Sequence, residues 1–146
     1  MSDGNRQLTS PAGYSGTPLA RKLGFKIGFR VILVREPRGF REMLEGLPDN
    51  VIFVSDRNQG GLDLAIVFCA NSGEFLHDFP PLKHGIRQNG MIWVAYPKKS
   101  SGVKSDLDFD LVQRTGLSLG LVDVKICAID EVWTGLKFVI PVKDRT

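Results

Sequence analysis

The order of apolar and polar positions divides the chain into alternating elements. Short apolar runs occupy residues 29–34, 51–54, 62–70 and 91–96, and stretches able to form helices, 39–46, 74–88 and 105–119, lie between or after them. Strand and helix in alternation predict a parallel sheet with helices on its faces. Runs 62–70 and 91–96 are apolar almost throughout, as in strands covered on both faces at the middle of a sheet. In run 122–129, Val122, Val124, Ile126 and Ala128 alternate with Asp123, Lys125 and Cys127, so one face is partly wet and the strand belongs near an edge. Run 136–142 follows after a loop too short for a helical crossover and must return antiparallel. Pro141 suits its end or an exposed edge.

Helix ends can be read as well. Thr17-Pro18 gives an N-cap with proline in the first turn, and Gly24 stops that short helix. Ser105 is the expected cap of the last helix, with Asp106 and Asp108 at its positive end. Gly116 inside that helix costs about 1 kcal/mol. Pro80-Pro81 is expected to split 74–88 into two short pieces. Residues 1–16 are polar and rich in Ser, Gly and Pro, which predicts a flexible arm ahead of a single domain over 17–146.

A length of 146 residues suits one domain that folds without a metal or disulfide. The net charge of +3 is too mild to imply nucleic acid on its own. Arg21, Lys22, Lys26, Arg30, Arg35, Arg38 and Arg41 face only Glu36 in that stretch, but they are dispersed over a helix, a strand and a loop. No apolar run reaches the length of a membrane span, and the start lacks a signal-peptide core. Cys69 and Cys127 sit in strand-like runs without C-x-x-C spacing, which predicts buried free thiols and a reducing, cytoplasmic setting.

Three regions carry candidate chemistry. The turn after the first strand, Arg35-Glu36-Pro37-Arg38-Gly39-Phe40, holds one glycine and a proline without an N–H. A nucleotide-binding turn would present several glycines there, so no cofactor is expected, with S-adenosylmethionine the weaker option. Asp56, near the end of the second run, stands where an acid could hold a ribose. No Walker pattern occurs. The segment Tyr96-Pro97-Lys98-Lys99-Ser100-Ser101-Gly102 leaves a central strand at the edge where open α/β sheets bind ligands. Lys98, Lys99, Ser101 and Gly102 could hold an anion, although an extended backbone would point the two lysines apart. The loop Asp130-Glu131-Val132-Trp133-Thr134-Gly135 leaves another carboxyl end, where Asp130 and Trp133 could line a pocket or an interface. His77 and His84 lack a third ligand, and the S-x-x-K match at Ser101 to Lys104 is chance.

From Tyr14 onward the chain resembles a bacterial family catalogued as a domain of unknown function. The resemblance rests on Tyr14-Ser15-Gly16-Thr17-Pro18-Leu19-Ala20, Trp93 with Pro97-Lys98-Lys99 and Ser101-Gly102, Gly120-Leu121-Val122-Asp123-Val124-Lys125, Asp130-Glu131 with Trp133, and Gly135-Leu136-Lys137-Phe138. Tyr96 stands where the family is associated with tryptophan, and Ser105 where threonine is expected. The resemblance implies a methyltransferase-like fold and supplies no reaction. The expected fold is therefore α/β: a Rossmann-like three-layer sandwich, mostly parallel and ending in an antiparallel hairpin, similar to a truncated class I methyltransferase.

The leading expectation is a non-enzymatic domain that binds a small anionic ligand or a protein partner. Lys98, Lys99, Ser101 and Gly102 would hold the anion, Asp130 would stand beside them, and Tyr96 and Trp133 would form one apolar wall. The alternatives are an S-adenosylmethionine-dependent methyltransferase with an unorthodox site, and a structural homo-oligomer using the same aromatic loop. Neither a membrane nor nucleic acid is an expected partner.

Overall fold

The computed structural model describes residues 16–146. The arm expected over 1–16 therefore falls almost wholly outside the described residues. The chain forms one six-stranded sheet: β1 (Arg30–Val34), β2 (Ile52–Val54), β3 (Leu62–Phe68), β4 (Ile86–Pro97), β5 (Val122–Ala128) and β6 (Trp133–Val139), in the order β2-β1-β3-β4-β6-β5. β1 to β4 pair in parallel, and β6 runs antiparallel between β4 and β5. The late hairpin thus inserts its second strand into the sheet and leaves β5 at the edge, where its alternating pattern places it, but with the faces reversed: Val124 and Ile126 are exposed and Cys127 is buried.

Two apolar layers sandwich the sheet. On one face α2 (Ser72–Leu82) and α3 (Phe109–Ser118) pack Phe75, Phe79, Leu82 and Val112 onto Ala65, Val67, Ile92, Val94, Leu136 and Phe138. The other face is thinner, covered by α1 (Leu19–Lys22) and a 3-10 turn at Arg41–Met43, which bring Ala20, Leu23, Phe40 and Leu44 onto Leu64, Ile66, Phe68 and Trp93. The fully buried Trp93 indole donates to the Leu23 carbonyl at 2.8 Å and pins α1 to the sheet. A Cβ added to Gly135, which pairs with Ala95 on the neighbouring strand, would lie 3.0 Å from the Trp93 ring, so that position stays bare.

Several expectations need correction. Residues 39–46 form only the 3-10 turn, because glycine bounds so short a stretch on both sides. Stretch 74–88 is not split in two: α2 runs through Pro80 and Pro81 in its last turn. The carbonyls left without donors belong to Leu76 and His77, which are exposed, so water can replace the lost bonds. The strand that follows starts early, at Ile86. α3 begins at Phe109, capped by the Asp108 carboxylate accepting from the Leu111 amide at 2.9 Å. The Ser105 hydroxyl accepts from Leu107 instead, at 3.1 Å, in the turn before the helix.

One connection shapes the surface. The crossover from β2 to β3 passes over β1 in residues 55–61 and contains only a 3-10 turn, Arg57–Gln59. Crossovers between parallel strands usually carry an α-helix that covers the sheet. Here that helix is missing, and the carboxyl end of β1 beside α2 is left partly uncovered at Val34, while Ile32 beneath it is buried. Among the described residues no helix is long and apolar enough to cross a membrane.

Candidate functional site

The open strip is a cleft of about 440 Å³ lined by Ile32, Leu33, Val34, Arg35, Ser55, Asp56, Asn58 and Asp78. That volume lies within the roughly 300–1,000 Å³ of small-molecule sites. Its position follows from topology. The chain moves outward from β1 to β2 and then in the opposite direction from β3 to β4, so the crevice outside the carboxyl ends of β1 and β3 is the switch point where open α/β sheets bind ligands.

Arg35 follows β1 directly and adopts a left-handed conformation, φ 56°, unusual for a residue with a side chain. Its Nε donates to Asp78 Oδ2 at 2.5 Å, and Nη1 lies 3.6 Å from Glu74 Oε2. Both acids come from α2, so the pair ties the turn after β1 to the helix after β3 across the switch point. Asp78 is only 3% exposed, and it is the one charged residue in the described core. Its Oδ1 also lies 2.8 Å from His77 Nδ1. Burial by itself would raise the Asp78 carboxyl, but hydrogen bonds from His77 and Arg35 outweigh it and hold the group below the ordinary carboxylate range. The Asp78 hydrogen bond in turn raises Arg35. Glu74 Oε1 accepts from the Ala70 amide at 2.9 Å, closing the β3–α2 turn.

Two neighbours define the rest of the chemistry. Asp56 caps the crossover turn with Oδ1 accepting from the Asn58 amide at 2.9 Å, and it is exposed at the carboxyl end of β2. Cys69, at the end of β3, is pushed up to about 12 by burial and then by the Asp78 and Glu74 charges, so its thiol is inert at neutral pH.

The residues expected at the site lie further along the same edge. Pro97 pairs with Trp133, and the Lys98 amide donates to the Val132 carbonyl at 2.7 Å, so the lysine segment and the Trp133 loop are neighbours. They do not share one apolar wall. Tyr96 is buried on the α2–α3 face, whereas Trp133 packs on the α1 face with its ring edge-on to Phe68 at 5.2 Å. Adjacent positions in a strand pair point alternately, and these two fall on opposite sides of the sheet. The Ser101 hydroxyl donates to the Lys98 carbonyl and accepts from Val103, and Asp130 Oδ1 accepts from the Val132 and Trp133 amides, both at 2.8 Å. Lys99 is exposed, Lys98 is half-buried, and Gly102, at φ 81°, ends the 3-10 turn Lys99–Ser101.

The Arg35–Asp78 pair is the feature sequence reasoning missed, and a signal for it existed. Phe75, Asp78, Phe79 and Leu82 have the i, i+3, i+4, i+7 spacing of one buried helix stripe, with a carboxylate in an apolar position. A buried acid demands a partner.

Solved structures share this fold. DhpI in complex with S-adenosylhomocysteine superposes with a TM-score of 0.56 at 11% identity, over 83% of this chain and 81% of that one. Fibrillarin of Aeropyrum pernix with natively bound S-adenosyl-L-methionine gives 0.52 at 14%, over 87% and 70%. An S-adenosylmethionine-dependent methyltransferase of Thiobacillus denitrificans in complex with S-adenosylhomocysteine gives 0.51 at 11%, over 87% and 92%. No family model matches the chain, nor does any curated protein. The fold is that of the class I methyltransferases, in a short form. The expectation of no cofactor is corrected by these structures, which hold S-adenosylmethionine or its demethylated product. That expectation rested on the glycine-poor turn after β1, yet the crevice at the switch point is present without it.

Proposed function

We propose that this domain binds S-adenosylmethionine in the cleft beside β1 and acts as a methyltransferase, in preference to the non-enzymatic role expected at first. The observation that carries the reading is the Asp56 carboxylate at the carboxyl end of β2, beside the apolar strip of Ile32 and Val34, at the switch point of a methyltransferase fold. The residues fit the nucleoside half of the ligand. Asp56 Oδ2 has no hydrogen bond among the described residues and can accept from a ribose diol, while the half-buried Val34 offers an apolar contact for a base. Bound, the cofactor supplies an electrophilic methyl group on a sulfonium. The chain itself binds and orients; the Cys69 thiol takes no part as a nucleophile.

For the methyl acceptor, the proposed surface is the neighbouring pair of loops carrying Tyr96, Lys98, Lys99, Ser101, Gly102, Asp130 and Trp133. They stand at the same carboxyl edge but outside the cleft lining.

Calorimetric titration with S-adenosylmethionine and S-adenosylhomocysteine tests the reading. Binding is expected, with a loss of about 10-fold or more in Asp56→Ala, the weight of hydrogen bonds to a charged acceptor. Absence of binding at millimolar ligand, or an unchanged affinity in the variant, overturns it.

A further inference from the structure

We propose that Arg35 recognises the α-carboxylate of an amino-acid-bearing nucleoside in this cleft, at the place where a glycine-rich turn would present backbone amides. The inference rests on the cofactor reading above and specifies its ligand.

Three observations carry it. Arg35 lines the cleft together with Asp56, so a ligand anchored by its ribose at Asp56 has its remaining portion to place along the wall that Arg35 and Asp78 form. The turn itself cannot do the usual work: Pro37 removes a donor, and Gly39 is its single glycine. Finally, the guanidinium is held but not exhausted. It has five N–H donors, of which Asp78 takes Nε and Glu74 approaches Nη1. Its side chain remains 47% exposed, and Nη2 has no partner among the described residues. With Nε fixed by the buried Asp78 carboxylate and Nη1 beside Glu74, the guanidinium is preorganised to offer Nη2 to a further carboxylate. Arg35 has a left-handed backbone, φ 56°, and its side chain reaches α2 from there.

The surrounding charge narrows the class of anion. Among the described residues, Asp56, Glu74 and Asp78 stand around the Arg35 guanidinium. A zwitterionic amino-acid end balances its own carboxylate with an ammonium, which the same acids favour. That pairing of carboxylate with ammonium points to S-adenosylmethionine or S-adenosylhomocysteine as the ligand.

Calorimetry on the full chain with S-adenosylhomocysteine, 5′-methylthioadenosine and adenosine monophosphate separates the possibilities. The methylthio compound keeps the nucleoside and thioether and lacks the amino acid. In the unaltered protein, S-adenosylhomocysteine is expected to bind about 10-fold or more tighter than the methylthio compound. The double variant R35M with D78N neutralises both members of the pair together, so that neither is left facing the other's buried charge. It should erase that preference and leave affinity for the methylthio compound within about twofold, with a cooperative thermal transition showing that it folds. Arg35→Lys should keep only part of the preference, because an ammonium lacks the fork. A preference that survives the double variant overturns the role of Arg35 while the nucleoside reading stands. Tighter S-adenosylhomocysteine binding by the variant overturns it too and makes Arg35 a plug. Adenosine monophosphate binding best, in an Arg35-dependent way, overturns the amino-acid assignment. Failure of the unaltered protein to bind either adenosyl compound overturns the cofactor reading and this inference together.

Discussion

Replacing Gly116 with alanine opposes two known effects whose balance the structure decides. Inside a helix, alanine is favoured over glycine by about 1 kcal/mol, so helix propensity alone predicts stabilisation. A Cβ at Gly116, however, would lie 2.1 Å from Cε1 of Phe138, 2.6 Å from Cζ and 2.7 Å from Cδ1. Phe138 is fully buried, its ring centroid sits 5.2 Å from that of Phe79, and its strand is held on both sides by β4 and β5. The ring has no free volume to enter, and α3 must lift or Phe138 must leave its rotamer. Overpacking of this kind costs about 1–3 kcal/mol, and contacts this short belong at the upper end. After subtracting the propensity gain, G116A should destabilise the domain by about 1–2 kcal/mol, or roughly 3–8 °C in Tm for a chain of this length. Urea and thermal unfolding followed by circular dichroism would read it. A second change, F138L, should recover part of the loss in the G116A background, with a coupling of about 1 kcal/mol. A rise in Tm for G116A would refute the tight α3–sheet contact and leave propensity in charge.

Asp78 makes stability depend on acid. Its folded pKa is depressed, so its contribution is present above the unfolded carboxyl value near ~3.9 and is lost as pH falls through the lower folded value. The unaltered protein should therefore lose Tm more steeply below about pH 4 than D78N does, and parallel curves would contradict the assignment. Lys125 pairs directly across from Lys137, whose ammonium is held below its ordinary value by burial and then by Lys125 and Lys26. Lys125→Glu should stabilise by about 0.5–1 kcal/mol at low salt, despite losing the Lys125 bond to the Lys22 carbonyl, and the gain should shrink near about 1 M salt. A salt-independent change would exclude charge as its origin. Lys98→Ala with Lys99→Ala should leave S-adenosylhomocysteine affinity within about twofold, because neither lysine lines the cleft; a tenfold loss in titration would move the cofactor to the lysine loop.

What the sequence revealed depended on how local each cause was. β3 and the second half of β4 are legible because burial on both faces leaves a continuous apolar run. The alternation in β5 points to an edge but not to its faces: Val124 and Ile126 are exposed and Cys127 is buried, after a register shift between Asp123 and Lys125. The antiparallel return of β6 followed from loop length alone. The start of α3 was misplaced by a few residues because Ser105 and Asp108 both satisfy the capping pattern, and only the built turn shows which oxygen faces the helix amides. Tyr96 and Trp133 were joined in one wall because the pleat at the end of β4 could not be registered against β6 before the pairing was known.

The cleft was hidden for a different reason: it is made by something missing and something distant. A crossover confined to residues 55–61 cannot cover β1, and that opening has no residue signature beyond a short gap between two apolar runs. Arg35 and Asp78 are far apart in sequence and meet only because parallel pairing of β1 with β3 sets the turn after one beside the helix after the other. Once they meet, each explains the other. The acid can occupy an apolar stripe because a guanidinium reaches it, and the guanidinium can project from a strained turn because a buried carboxylate fixes it. The glycine-poor turn thus carries the guanidinium that joins the two sides of the switch point.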